Sequence, residues 1–282
     1  MVKKTKKLRK IKKMKGGDKP VSICSVCNKK YLKYLNNSLK SFILNCSEEN
    51  MVYNHFYIYL KDDEIKEVND KYKCFIEKSN IKINFVKNPE KVDTRLFSCH
   101  YRFEAVKELI DRDIYSKVLY YDINSIINRP IYDICRDNSY SFNVFLRYNL
   151  YNEDHINGSN IDLNENSRLH KIIINIYGGF VMSGVFMCNN DKNGKEIINR
   201  IIGKYKKSKI KYWFLDQHIL SEIFIEFISK KIEIGILSKD FFDLKCRDES
   251  RLWLSKGNMV TSYERKCMRK NMIKIEKKVK EC

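Results

Sequence analysis

Proline occurs three times and glycine ten times in this 282-residue chain. That scarcity excludes collagen-like repeats and the Pro/Gly-rich low-complexity compositions that stay unfolded. Long apolar runs are missing as well. The longest low-charge window, IIINIYGGFVMSGVFMC at 172–188, falls short of the ~20 apolar residues that a spanning helix needs, and glycines 178 and 179 interrupt it. It reads as two strands and a turn. No apolar stretch follows the basic N-terminal run, so no secretory signal is expected and a cytoplasmic location is. Ten cysteines without export are expected to be reduced thiols. Cys24 and Cys27 form a CxxC on the strand-like VSICSV, where residues three apart point to opposite faces, and no second CxxC completes a zinc site.

Abundant bases and apolar side chains fill the remainder. The formal charge is +20, with 43% apolar and 12% aromatic residues. That apolar content is enough to bury a core, and the length suits one large domain with a tail. Nine of the basic residues lie in MVKKTKKLRKIKKMK, a block that repels itself and contributes no core; GGDKP then reads as a hinge. Residues 1–19 are therefore expected to be a basic tail, 20–265 the folded domain and 266–282 a basic C-terminal extension. The tail suits non-specific contact with nucleic acid, an anionic membrane or an import receptor, and equally suits a solubilising role. Deleting residues 1–17 is expected to leave the melting curve, followed by circular dichroism, unchanged.

Two periods alternate along the chain. VSICSV (21–26) is followed by YLKYLNNSLKSFI, whose Leu32, Leu35, Leu39, Phe42 and Ile43 share a helical face. HFYIYL (55–60) and IKINFV (81–86) read as strands, separated by a charged helix over 62–78. RFEAVKELI (102–110) is helical and feeds the strand KVLYY. Strands alternating with helices of this length predict an α/β fold, a single Rossmann-like domain with a mostly parallel mixed sheet flanked by helices.

In such a sheet, ligands lie outside the carboxyl ends of the strands. SKVLYYDINSIINRP puts Asp122, Asn124 and Ser125 there. A carboxylate and an amide oxygen are hard donors suited to Mg²⁺ or Mn²⁺ carried in with a diphosphate. An Asx turn or cap closing the strand is the alternative.

RFEAVKELIDRDIYSKVLYYDINSIINRPI resembles the stretch around the DxD motif of the glycogenin-like retaining glycosyltransferases, family 8 and its relatives. In those proteins a basic residue on a helix precedes a strand of the type V-L-Y-L-D-A-D-T-L-V-x-x-P-L. Four more segments follow in the family's order. VSICSVCNKKYLKYLNNSLKSF is similar to the first strand and helix, whose N-x-x-Y element contacts the base, which implicates Asn28 and Tyr31. GGFVMSGVFMCNN is similar to the F-N-S-G-V strand beside the sugar, bringing in Ser183 and Gly184. WFLDQHILSEIF matches the D-Q element at Asp216 and Gln217. RLWLSKGNM resembles the segment that closes over the diphosphate, placing Lys256 and Gly257. The resemblance spans about residues 20–260 and implies a GT-A fold binding a nucleotide-sugar, usually a UDP-sugar, with Mn²⁺ or Mg²⁺ on Asp122 and Asn124.

The chain departs from the pattern at three places. The second acid of DxD is Asn124, the histidine metal ligand falls on Leu254, and the asparagine of N-S-G falls on Met182. These changes weaken metal binding, and Lys256 and Arg102 are the cations that would carry the diphosphate in its place. Cations are needed because breaking the sugar–phosphate bond builds negative charge on the leaving diphosphate. Gln217 is expected to support the reacting face of the sugar. Asp216 is expected to bond sugar hydroxyls or orient the acceptor, and it equally fits the start of a helix. Tyr31 suits core packing as well as base contact.

Three functions compete at this point. The first is transfer of a sugar from a nucleotide-sugar donor to an acceptor that is a glycan, protein or lipid. The second is sugar-nucleotide binding by a degenerate member without transfer. The third, a basic nucleic-acid-binding protein, lacks any binding motif on the folded part. The polar stretch 149–171 is expected to be a loop over the acceptor side.

Overall fold

The structure, a computed structural model, describes residues 19–27, 31–46, 55–60, 62–78, 82–87, 97–131, 135, 138–148, 172–173, 175–176, 179–209, 215–230, 232, 234–238, 241–243, 250–254 and 273. Of the expected tail only Lys19 is among them, and of the C-terminal extension only Ile273; the loop expected over 149–171 lies outside.

Strands β1 (Val21–Val26), β2 (His55–Leu60), β3 (Lys82–Lys87) and β4 (Lys117–Tyr121) alternate with helices α1 (Leu32–Cys46), α2 (Asp62–Lys78) and α3 (Phe97–Asp111). After β4 come β5 (Ser125–Ile127), β6 (Phe142–Tyr148), β7 (Gly179–Asn189), α4 (Lys192–Lys207), α5 (Leu215–Ser229), β8 (Ile234–Leu237), β9 (Phe242–Asp243) and β10 (Leu252–Leu254). The main sheet has the order β3-β2-β1-β4-β7-β6-β8. Its first four strands run parallel, β7 is antiparallel to both β4 and β6, and β8 is parallel to β6. A small second sheet, β5-β10-β9, lies beside it. This is the α/β architecture that the alternating periods predict.

The core divides along the pleat of the sheet. On one side Cys24, Val26, Val118 and Tyr120 pack with α3, α4 and α5, through residues such as Val106, Ile197 and Phe224. On the other, Ile23, Cys27, Leu119 and Tyr121 pack with Leu35, Leu39 and Phe42 of α1, Val68 of α2, and Leu252 of the small sheet. Cys24 and Cys27 thus fall in different cores, as the three-residue spacing requires. Both thiols are buried, and burial raises both pKa values. Phe186 sits at the centre of the first core, stacked on Phe103 at 4.9 Å, Tyr120 at 5.1 Å and Phe142 at 5.6 Å.

Residues 172–188 differ from the sequence reading of two strands and a turn. Positions 172–173 and 175–176 are helical, with Ile173 buried and Ile172 and Ile176 exposed. One unbroken strand, β7, then begins at Gly179. A short isoleucine run carries no period that separates helix from strand. A strand covered on both faces reads as continuously apolar, so it does not alternate. β3 begins at Lys82, one residue later than IKINFV suggests.

Candidate active site

β1 runs one residue past the end of β4, since Cys24 pairs with Tyr120. The Ser25 hydroxyl donates to the Tyr121 carbonyl at 2.6 Å, fastening the two strand ends. Asp122 follows β4, and its N–H donates to the Gly184 carbonyl of β7 at 2.8 Å. The chain then turns, with Ser125 N–H donating back to the Asp122 carbonyl at 2.9 Å. The main chain closes this turn, so Ile123 goes inward and Asn124 stays half-buried. The Asp122 carboxylate is not an Asx cap. It accepts the Tyr120 hydroxyl on Oδ1 at 2.9 Å and pairs with Arg102 Nη1 at 3.4 Å.

β7 brings the third group. Val144 of β6 pairs with Phe186 and Phe145 with Met182, which leaves Ser183, Gly184 and Val185 without partners on β6. Such bulges re-aim side chains beside sites, and glycine eases the bend. Here the bulge lies opposite Asp122, and the Ser183 hydroxyl accepts a hydrogen bond from Arg102 Nη1 at 3.1 Å. Met182, where the resemblance has asparagine, points into the core.

Arg102 ties the site together. It comes from α3, which packs against β1 and β4, and is 4% exposed. Besides Asp122 and Ser183 it reaches Asp216 Oδ2 through Nε at 3.4 Å, and its guanidinium lies 5.4 Å from the Tyr120 ring centre. A guanidinium spreads five donors over a rigid planar fork, whereas an ammonium gathers three on one nitrogen. Asp216, in the first turn of α5, is 2% exposed. Burial pushes its pKa up; Arg102, the Ser183 hydroxyl and the Gln217 N–H oppose that shift. The residue is therefore both a helix-end acceptor and a member of the cluster. Its Oδ2 receives no hydrogen bond.

A raised carboxyl pKa has a defined consequence for stability. The folded state keeps the Asp216 proton where the unfolded chain, near the ordinary value of 3.8, has released it. The stability contributed by Asp216 is thus full below that value and is lost as pH rises through the raised one. Asp216→Asn removes this loss. Urea unfolding between about pH 4 and 7 should show the variant gaining on wild type as pH rises, and a gap narrowing with pH would contradict the assignment.

The structure brings Arg102, Asp122, Ser183, Gly184 and Asp216 together. Gln217 follows on α5, half-buried, and no hydrogen bond among the described residues ties its side chain to the cluster. Tyr31 immediately precedes α1 at the same carboxyl edge, packed on the second core and against Tyr34 at 5.9 Å. Asn28, Lys256 and Gly257 lie outside the described residues. Leu254 pairs with Ser125, so the small sheet brings the position that the resemblance gives to histidine beside Asn124. Trp253 is a packing anchor, 1% exposed. Sequence reasoning missed Tyr120, whose place two residues before Asp122 on a strand puts both side chains on one face.

The donor set fits a hard divalent cation that arrives with its ligand. A Cβ at position 184 would stand 2.8 Å from Asp122 Oδ2, so glycine leaves open a cradle beside that oxygen. Asn124 offers a neutral oxygen. Among the described residues no group of three or more His, Cys, Asp or Glu forms a metal cage. Mg²⁺ and Mn²⁺ sites of this kind use one or two protein oxygens and complete the shell with phosphate and water.

No protein-family model and no curated protein sequence matches the chain. Solved structures do. The apo form of the glycosyltransferase GlyE of Streptococcus pneumoniae TIGR4 matches with a TM-score of 0.58 and 14% identity over 94% of this chain and 64% of that one. The apo structure of the bifunctional glycosyltransferase WbbM matches with a TM-score of 0.60 and 12% identity over 92% of this chain and 52% of that one. This chain therefore spans between half and two thirds of those structures. The likeness shows the fold: this chain shares the mixed α/β sheet architecture of those structures. No helix among the described residues is long and apolar enough to cross a membrane.

Proposed function

We propose that this protein is a glycosyltransferase that moves a sugar from a nucleotide-sugar, a UDP-sugar, to a glycan, protein or lipid acceptor with retention at the anomeric carbon. The observation that carries this reading is the meeting of Arg102, Asp122, Ser183 and Asp216 at the carboxyl edge of a glycosyltransferase-type sheet. Four elements supply those residues, and an α/β sheet has its ligand crevice at that edge.

Asp122 Oδ2 and the Asn124 amide oxygen would hold Mn²⁺ or Mg²⁺, which when bound neutralises the charge that develops on the leaving diphosphate. The resemblance assigns Lys256 and Gly257 to the diphosphate, where Lys256 would supply a second cation. Asn28 and Tyr31 take the base. Arg102 is so deeply buried that its work is to hold two carboxylates in place, and its charge reaches the diphosphate only through space. Asp216, buried with Arg102 against its Oδ2, is assigned to orienting the site from behind and touches no sugar atom. Gln217 supports the reacting face. As the sugar–phosphate bond breaks, its electron pair leaves with UDP, and the acceptor oxygen forms the new bond and passes its proton to the departing diphosphate.

The test is UDP release from a panel of UDP-sugars with and without Mn²⁺. Turnover with at least one sugar is expected. Asn124→Asp should lower the Mn²⁺ concentration needed for half-maximal turnover, because a second carboxylate adds a full charge to the cation's shell. Turnover unaffected by EDTA, with Asn124→Asp harmful and Lys256→Ala the damaging change, would overturn the metal assignment. The neutral Asn124 and the missing histidine at Leu254 favour a second reading, binding of a sugar nucleotide without transfer. That reading predicts UDP affinity with no release from any sugar.

A further inference from the structure

We infer that Tyr120 and Gly184 divide the Asp122 carboxylate between two tasks, fixing Oδ1 inside the protein and keeping Oδ2 open toward the cation and diphosphate. Tyr120 is then a positioning residue of the site. The inference rests on the nucleotide-sugar reading and adds to it a reason why these two residues stand where they do.

The hydrogen bond and the ion pair of the carboxylate both fall on one oxygen. The Tyr120 hydroxyl donates to Oδ1 at 2.9 Å, and Arg102 Nη1 stands 3.4 Å from the same atom. Oδ2 faces the α-carbon of Gly184, where a Cβ would come within 2.8 Å of Oδ2 and 3.4 Å of the carboxyl carbon. The strands cannot move apart to admit one, because Asp122 N–H is bonded to the Gly184 carbonyl at 2.8 Å. The Asp122 side chain is 20% exposed while that of Arg102 is 5% exposed, so the carboxylate, and not its counter-ion, meets solvent.

Tyr120 is built to hold this arrangement. Its ring is fully buried, stacked on Phe186 at 5.1 Å and facing the Arg102 guanidinium at 5.4 Å. Packing therefore fixes the ring, and the hydroxyl adds a directional bond to the strand neighbour on the same face. A ligating carboxylate with neither oxygen tied rotates freely, and one with donors on both oxygens has fewer lone pairs left for a cation. Partners that orient ligating groups in this way typically contribute 10- to 100-fold to metal affinity, on the order found for outer-shell hydrogen bonds.

Isothermal titration of UDP into the full chain, with and without Mn²⁺, tests this. For wild type, Mn²⁺ should increase UDP affinity. Tyr120→Phe keeps the packed ring, so it should melt within about 4 °C of wild type and lose about tenfold of the Mn²⁺-dependent gain. Gly184→Ala should lose the gain as well. Phe142→Leu loosens the same core without touching Asp122; it should melt lower and keep the gain, which separates positioning from general packing. A Tyr120→Phe protein with the full gain would overturn the inference alone. A wild-type UDP affinity that Mn²⁺ does not change would also overturn it. Absence of UDP binding by wild type would instead remove the function reading on which it rests.

Discussion

Asp122→Asn is expected to abolish sugar transfer, by more than about a hundredfold, while the melting midpoint stays within a few degrees of wild type. The substitution preserves shape. An amide oxygen can still accept the Tyr120 hydroxyl, and the turn after β4 is closed by main-chain atoms that the change leaves alone. What disappears is the one full charge that the site offers a cation at Oδ2. Arg102 keeps Asp216 as its counter-ion, so the buried guanidinium is not abandoned. UDP release and thermal melts on the same preparation decide the matter. A collapse in stability with retained turnover would show that Asp122 is structural.

Removal of Arg102 should do the reverse and damage stability first. Arg102→Met leaves Asp122 and Asp216 facing each other without the cation between them, and Asp216 is fully buried. Breaking a buried pair by deleting one partner typically costs about 3–5 kcal/mol, which for a domain of this size lowers the midpoint by about 10 °C. The loss should shrink as pH falls, because a protonated Asp216 no longer needs a counter-ion. Arg102→Lys keeps the charge but not the fork, so it should recover part of the stability and little of the transfer. Melts across pH test this; a neutral-pH midpoint unchanged in Arg102→Met would contradict the view of Arg102 as the tie of the site.

How far the sequence alone reached follows from the kind of signal each element carries. β1 and α2 have the bounds that the sequence reading gives, β1 as a short apolar run and α2 as a charged stretch between two strand patterns. The glycine pair at 178–179 suggests a turn between two strands, whereas β7 begins at Gly179 as one strand. β6 and the short strands of the second sheet carry no comparable pattern and were not foreseen. Arg102, Asp122, Ser183 and Asp216 came from motif order, since nothing in their spacing says that one guanidinium reaches three acceptors. Only the register of β4 against β7 reveals why position 184 is glycine. Tyr120 was hidden because a tyrosine in an apolar strand reads as packing, and packing is half of what it does.

A crystal structure grown with millimolar UDP and Mn²⁺ tests the central claim most directly. The account predicts the nucleotide across the carboxyl ends of β1 and β4, with its diphosphate near Asp122 and a metal ion against Asp122 Oδ2. A nucleotide bound elsewhere on the molecule, or a cleft left empty under those conditions, would contradict it.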